Sequence, residues 1–206
     1  HFTHFELDYF TAEEAIEYGQ LITRARLADD RDRCSSVLER FTEASKDPST
    51  LRLLKTPLQV LIITVILEDH RSLPVDRYGL FWTYFNTLFA RERGKSNELA
   101  TFLTAHRQEV THLHEVVGER LQIQSEDAAN SRAELGLDEL QRIADERFQY
   151  IGYTNDEERR LLVRQMVDAA MQRLILLVPG DQDARGKETV TFELRSLQEL
   201  MAARSL

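Results

Sequence analysis

The chain is 206 residues long, 30% charged and 42% hydrophobic, a balance that excludes a disordered tail and allows one large core or two small ones. Its net charge of −9 excludes a chain-wide surface for nucleic acid or anionic membrane, since both need clustered cations, although a local basic patch remains compatible. Cys34 is the sole cysteine, so no intrachain disulfide can form and a cytoplasmic location is expected.

Helical signals lead. Thr11-Ala-Glu-Glu14 is a capping box, in which the hydroxyl and the carboxylate satisfy backbone donors that the helix start leaves open. The helix that follows is expected to turn Ala15, Tyr18, Ile22 and Ala25 to one side. Asp47-Pro48 marks a second start, with the carboxylate as cap and the proline at the first helical position. Pro57 opens the longest apolar run, Leu58 to Leu67, which is far shorter than the roughly 20 residues of a membrane-spanning helix. Its length and the leading proline favour a buried helix over a strand. No signal peptide is visible.

Leu73-Pro74 breaks the chain, and Tyr78, Phe81, Trp82, Phe85, Leu88 and Phe89 then recur at helical spacing. This aromatic stripe reads as core, in a helix that ends near Gly94 with Lys95 at its negative end. One long helix is expected from Glu98 to Gln124, burying Leu113, Val116, Val117 and Leu121. Ser125 to Gly136 reads as a loop, and a shorter helix is expected from Leu137 to Tyr150. Thr154-Asn-Asp-Glu157 is a second capping box, opening a helix with Leu161, Leu162, Gln165, Met166 and Ala169 inward.

The period then changes. Leu174 to Val178 and Thr189 to Phe192 are β-prone, and Pro179 to Gly186 between them is rich in turn formers. Three helices followed by a hairpin is the order of a winged helix. Ser196-Leu-Gln-Glu199 reads as a further capping box and starts a last helix that stops at Leu206. With no initial Met, the chain is expected to be a portion of a longer protein. The fold class expected is mainly α: a helical domain over residues 1–97, a winged-helix-like domain with a small hairpin over 98–195, and the first helix of a further helical region over 196–206.

Several motifs fail on chemistry. Gly94-Lys95-Ser96 resembles the end of a phosphate-binding loop, but Phe89 stands where the first glycine belongs and a helix precedes it. Gly180 to Lys187 has one residue too many between its glycines, and Asp181 and Asp183 would repel phosphate. Read as a calcium loop, the same stretch puts Arg185 at a ligand position and Phe192 where a bidentate Glu is required. His112 and His114 point to different sides of a helix, while His1 and His4 lie at an end, so no zinc site is expected. No catalytic residues are assigned, because neither a nucleophile elbow nor a nucleophile–base pairing can be read from the sequence. The helix from Asn155 carries Arg159, Arg160, Arg164 and Arg173, yet Asp156, Glu157, Glu158 and Asp168 accompany them, which weakens a groove-reading role.

Four stretches taken together resemble the region that follows the nucleotide-binding core in NACHT-type signal-transduction (STAND) NTPases. Phe5-Glu-Leu-Asp-Tyr-Phe10-Thr-Ala-Glu-Glu-Ala15 is similar to the entry into the first helical domain, and Leu53-Leu-Lys-Thr-Pro57-Leu58 to the family's proline motif. Leu73-Pro74-Val-Asp-Arg77-Tyr-Gly-Leu80-Phe81 resembles the lead into the next helix, and Phe192-Glu-Leu-Arg-Ser196-Leu-Gln198-Glu199-Leu-Met-Ala202-Ala203 the close of the winged helix. The resemblance implies a regulatory and oligomerisation module of a cytoplasmic ATP-binding protein, of the kind that serves innate immunity or antiphage defence. It closes over bound ATP or ADP and opens on activation. The magnesium ligands and phosphate loop would lie outside this chain. The implied partners are an upstream nucleotide-binding core and a downstream sensor region of the same protein, with a homo-oligomer in the active state; from charge and apolar-run length no membrane target is expected, and nucleic acid is not expected to bind through this region. Pro57 would pack near the adenine, although a simple helix-start proline explains the residue as well. The family's winged-helix His falls on Leu194, which cannot donate to a phosphate, and Arg195 beside it is expected to point to the opposite face of a strand. Two other readings predict different behaviour: a winged-helix DNA-binding module would bind duplex in a salt-sensitive manner, and a small enzyme would show a deep pocket with converging titratable groups.

Overall fold

The computed structural model describes residues 9–70, 72–127, 133–174, 176–182 and 186–206. His1, His4 and the Phe5–Asp8 start of the first resembling segment lie outside these residues, as do residues 128–132 of the expected loop, Asp183 and Arg185. The side chain of Arg173 is likewise outside the description. The chain is mainly helical with one small antiparallel sheet, and it divides into two compact units between Thr87 and Leu88.

In the first unit, α1 (Ala12–Arg26), α2 (Arg31–Ala44) and α4 (Pro57–Asp69) pack on one another, with the short α3 (Pro48–Leu53) between the last two in sequence. The Thr11 capping box forms, with the Glu14 amide donating to Thr11 Oγ1 at 3.2 Å and the Thr11 amide to Glu14 Oε2 at 2.8 Å. The buried face of α1 is Ala15, Gly19 and Thr23, while Tyr18 and Ile22 are half-buried and Ala25 is exposed. The expected stripe is therefore rotated. The cause is Phe41 of α2, fully buried, whose ring occupies the space that a Cβ on Gly19 would need. The sequence reading did not anticipate α2 at all, because its polar residues conceal only two buried positions, Val37 and Phe41.

Helix α4 begins as expected, with Thr56 as cap and Pro57 in its first turn, and it buries Val60 and the run from Ile62 to Leu67. At its far end the Glu68 side chain, only 5% exposed, meets Arg26 of α1 at 2.6 Å and Arg33 of α2 at 3.1 Å, so one carboxylate ties three helices together. Helix α5 (Arg77–Arg93) carries the aromatic stripe. Leu80, Phe81, Phe85 and Phe89 are buried, Trp82 stacks on Phe85 at 5.3 Å, and Tyr78 is exposed.

The second unit departs from the expected single helix. The stretch splits into α6 (Glu98–Ala105), capped by Asn97, and α7 (Arg107–Asp127). The break is His106, with φ −119° and ψ 32°, whose ring packs against Phe102 at 4.9 Å, Phe148 at 5.4 Å and Tyr153 at 6.1 Å. Aromatic contacts from elsewhere in the fold override a helical pattern that continues through the break. On α7, Leu113, Val117 and Leu121 are buried as expected, Val116 is half-buried, and His114 joins the core.

Leu135-Gly136, expected as loop, is a short strand β1. α8 (Leu137–Tyr150) follows within its expected bounds. α9 (Asp156–Asp168) is capped by Asn155 rather than Thr154: Asn155 Oδ1 accepts from the Glu157 and Glu158 amides at 3.0 and 3.1 Å. Met166 and Ala169 are buried as expected, whereas Val167 joins the inner face, Leu161 is exposed, and Leu162 and Gln165 are half-buried. α9 runs into a π-helical turn, Ala169–Arg173, where the Leu174 amide reaches back five residues to the Ala169 carbonyl at 3.0 Å.

Strands β2 (Leu177–Pro179) and β3 (Thr189–Phe192) form the expected hairpin, although Leu174 still belongs to the helix end. Sheet order is β1-β3-β2, so β3 is central and all four of its residues are buried. Pro179, which cannot donate, sits on the edge strand. α10 (Arg195–Ser205) begins one residue before the expected capping box, with Leu194 as its cap residue and no side-chain capping bond. Arg195 is thus the first helical residue instead of a strand residue; its side chain is 76% exposed and pairs with Glu199.

α10 packs along α7. At the crossing, a Cβ on Gly118 would stand 2.8 Å from the Ala202 amide nitrogen and 3.0 Å from the Gln198 carbonyl oxygen. Backbone cannot retreat as a flexible side chain can, so a larger residue forces the helices apart. Gly118→Leu is expected to lower stability by about 3 kcal/mol in urea unfolding. Gly94→Ala, where a Cβ meets nothing closer than 3.5 Å, is expected to shift it by about 1 kcal/mol or less. Equal effects of the two substitutions would show that the α7–α10 crossing is not tight.

Candidate functional site

Pro57, the one residue assigned to cofactor binding from the sequence, lies exposed in the first turn of α4. Its local role is met: Thr56 Oγ1 accepts from the Gln59 amide at 3.3 Å, and the fixed proline φ suits the first turn. The preceding Lys55 carbonyl accepts from the Phe10 amide at 2.9 Å, which ties the entry to α1 against this corner. Phe10 packs on Tyr18 at 5.5 Å, and Tyr9 is 70% exposed. The corner therefore offers an apolar ring and an aromatic side chain to whatever faces it. Leu194 is half-buried at the cap of α10.

A second feature emerges only in three dimensions. α8 and α9 enclose an open cleft of about 660 Å³. Leu137, Val163, Val167 and Met171 give it an apolar floor, while Arg142, Arg160 and Arg164 face Asp138, Asp145 and Asp168 around it. These charges are unequal in what they have left to bind. Asp138 is paired with Lys187 at 2.6 Å, and that cation holds its carboxyl below the usual range. Asp145 receives Arg159 Nε at 2.7 Å, and Arg159 also reaches Asp156 at 2.8 Å and the Tyr153 carbonyl at 3.2 Å. Arg142 pairs with Glu139 and Glu146. Arg160 and Arg164, both exposed, have no hydrogen bond or ion pair among the described residues. Arg159, Arg160 and Arg164 could not be separated from one another by sequence, and Arg142 was not singled out, because the acids that engage Arg159 lie on α8 and in the first turn of α9, which only folding brings together.

His114 and His106 serve packing. His114 is fully buried, and its Nδ1 donates to the Val110 carbonyl at 2.7 Å, which fixes the proton on that nitrogen. The Phe192 ring of the central strand lies 6.2 Å away. Burial pushes its pKa down to about 4. Burial also lowers the pKa values of His106 and His112. Among the described residues, no group of three or more His, Cys, Asp or Glu side chains is arranged to hold a metal ion, and no helix is long and apolar enough to cross a membrane. Comparison with protein families, with curated proteins and with solved structures yields no match.

His114 has a measurable consequence. Folded, it stays neutral to about pH 4; unfolded, it takes up a proton near its ordinary value of 6.5. The unfolded state therefore binds more protons between these values, and stability falls as pH drops through that window, by about 3 kcal/mol in full. His106 and His112 act in the same direction. Urea unfolding midpoints at pH 7 and pH 5 are expected to differ, and His114→Leu is expected to flatten most of the difference. An unchanged slope in that variant would place the titrating group elsewhere.

Proposed function

We propose that this chain is the regulatory region of a NACHT-type signal-transduction NTPase, a module that closes over ATP or ADP held by an upstream core and opens when a downstream sensor is engaged. The observation that carries the reading is the order of elements in the second unit. α7, β1, α8, α9 and the β2–β3 hairpin follow one another, the sheet runs β1-β3-β2, and α10 leaves the central strand directly. That order suits a winged-helix-like domain, and it places the Phe192 to Ala203 motif across the strand-to-helix corner. Gln198 of this motif, nearly buried, donates to Gln122 Oε1 at 3.3 Å and Ser125 Oγ at 3.4 Å on α7. Exposure of the Pro57 ring supports a role against a surface outside the chain, since a proline needed only to start α4 would serve equally well if covered.

In this reading Pro57 presents a rigid apolar face to the adenine, and opening frees a surface through which copies of the protein assemble in an immune or antiphage response. Leu194 leaves the nucleotide phosphates without the hydrogen bond that the family His supplies, so closure rests more on base and protein contacts than on a phosphate latch.

The test is nucleotide titration of the full-length protein that contains this chain. Wild type is expected to bind ADP or ATP, and Pro57→Ala to weaken binding about threefold to tenfold, on the scale of one lost apolar contact. The substitution is expected to cost the fold about 1 kcal/mol or less, because alanine also suits an exposed first helical turn. A well-folded protein that binds no nucleotide would overturn the proposal.

A further inference from the structure

The α8–α9 cleft does not depend on the nucleotide reading. We infer that it is a docking site for an acidic amphipathic helix of a partner protein. Arg160 and Arg164 stand four residues apart on α9, which puts their Cβ atoms about 5–6 Å apart on one face. Carboxylates spaced by one turn on a facing helix match that separation. Both guanidiniums are exposed and carry no partner among the described residues, whereas Asp138 and Asp145 across the cleft are already neutralised by Lys187 and Arg159. Asp168, whose Oδ1 accepts only from the Gln172 amide group at 3.4 Å, opposes them singly. Among the charges that line the cleft, the two guanidiniums are the cations left without an ion pair.

The floor decides the class of ligand. Val163 and Val167 lie on the same helix as the two arginines and are at least half-buried, so a partner that reaches the cations also covers apolar surface. A small anion would leave that surface wet, and a cleft of about 660 Å³ that is open along one side does not enclose one. A phosphodiester backbone would bring repeated charge past Asp168 and past the exposed first turn of α9, Asp156-Glu157-Glu158. An acidic helix needs only one turn of carboxylates, with its apolar face for the floor.

The π-helical turn adds an independent point. It replaces regular helix at the end of α9, and Met171, within the turn, lines the cleft. π turns recur at functional positions, and methionine adapts its shape to different apolar partners.

The experiment uses the full 206-residue chain and a fluorescein-labelled helical peptide of Glu, Ala and Leu, with its carboxylates one turn apart beside a leucine face. Fluorescence anisotropy is expected to show saturable binding that weakens as salt rises. Arg160→Glu combined with Arg164→Glu is expected to weaken it by about tenfold or more, and a peptide with Lys in place of Glu is expected to regain affinity for that variant. Both arginines are exposed, so circular dichroism is expected to be unchanged; the corresponding double alanine variant tests the same loss without charge reversal. Equal binding by wild type and both variants would overturn the inference, as would the absence of saturable binding. Duplex DNA that binds through the same two arginines and is not displaced by the peptide would overturn it in favour of nucleic acid.

Discussion

The second unit is built on the absence of one side chain. At Gly118 the backbone of α7 lies against the backbone of α10, within 3 Å of where a Cβ would stand. That approach lets Leu197, Leu200 and Met201 of α10 become buried, and it brings Gln198 within reach of Gln122 and Ser125. Arg204 closes the far end by meeting Glu115 at 3.0 Å. Because β3 passes into α10 through Glu193 and Leu194 alone, the depth at which α10 sits also sets where the central strand ends. The Phe192 ring then comes to lie beside His114. Sheet, helix and buried imidazole all take their positions from one crossing.

The chain carries a large negative charge, and among the described residues several ion pairs join one element to another. Glu68 gathers Arg26 and Arg33 from two other helices of the first unit. In the second unit Arg120 pairs with Glu139 across α7 and α8, and Arg159 ties the α8–α9 loop to both flanking helices. Half-exposed pairs of this kind contribute little stability singly, but each fixes a relative placement. Arg160 and Arg164, like Arg24, Arg31, Lys55 and Arg93, make no such pair among the described residues. What sets Arg160 and Arg164 apart is their place beside the apolar lining of one cleft.

The same logic separates the two candidate surfaces. At the Pro57 corner the local geometry is fully accounted for by starting a helix, and the case for a ligand comes from the order of motifs along the chain and from the exposure of the ring. At the α8–α9 cleft no motif signals a ligand, and the case rests on unpaired charge, apolar lining and a π turn. His114, by contrast, belongs to the core, and His106 packs in an aromatic cluster. Their low pKa values follow from burial, and they make stability sensitive to pH without implying catalysis.

Where an element is defined by its own residues, the sequence was enough. The Thr11 box, the Asp47-Pro48 and Thr56-Pro57 starts, the aromatic core of α5, the extent of α8 and the hairpin are local chemistry, legible from caps, prolines and spacing. Tertiary contacts decided the rest. Phe41 against Gly19 set which face of α1 is inside, and the aromatic cluster around His106 divided α6 from α7. Pairing with β3 made a strand of Leu135-Gly136, a dipeptide too short to signal one alone. The burial of Met166 and Val167 set the rotation of α9, and Arg160 and Arg164 came to line the cleft. Periodicity records how each segment prefers to fold, but the rotation of a helix and the partner of a charge depend on atoms distant in the chain, and only packing brings those together.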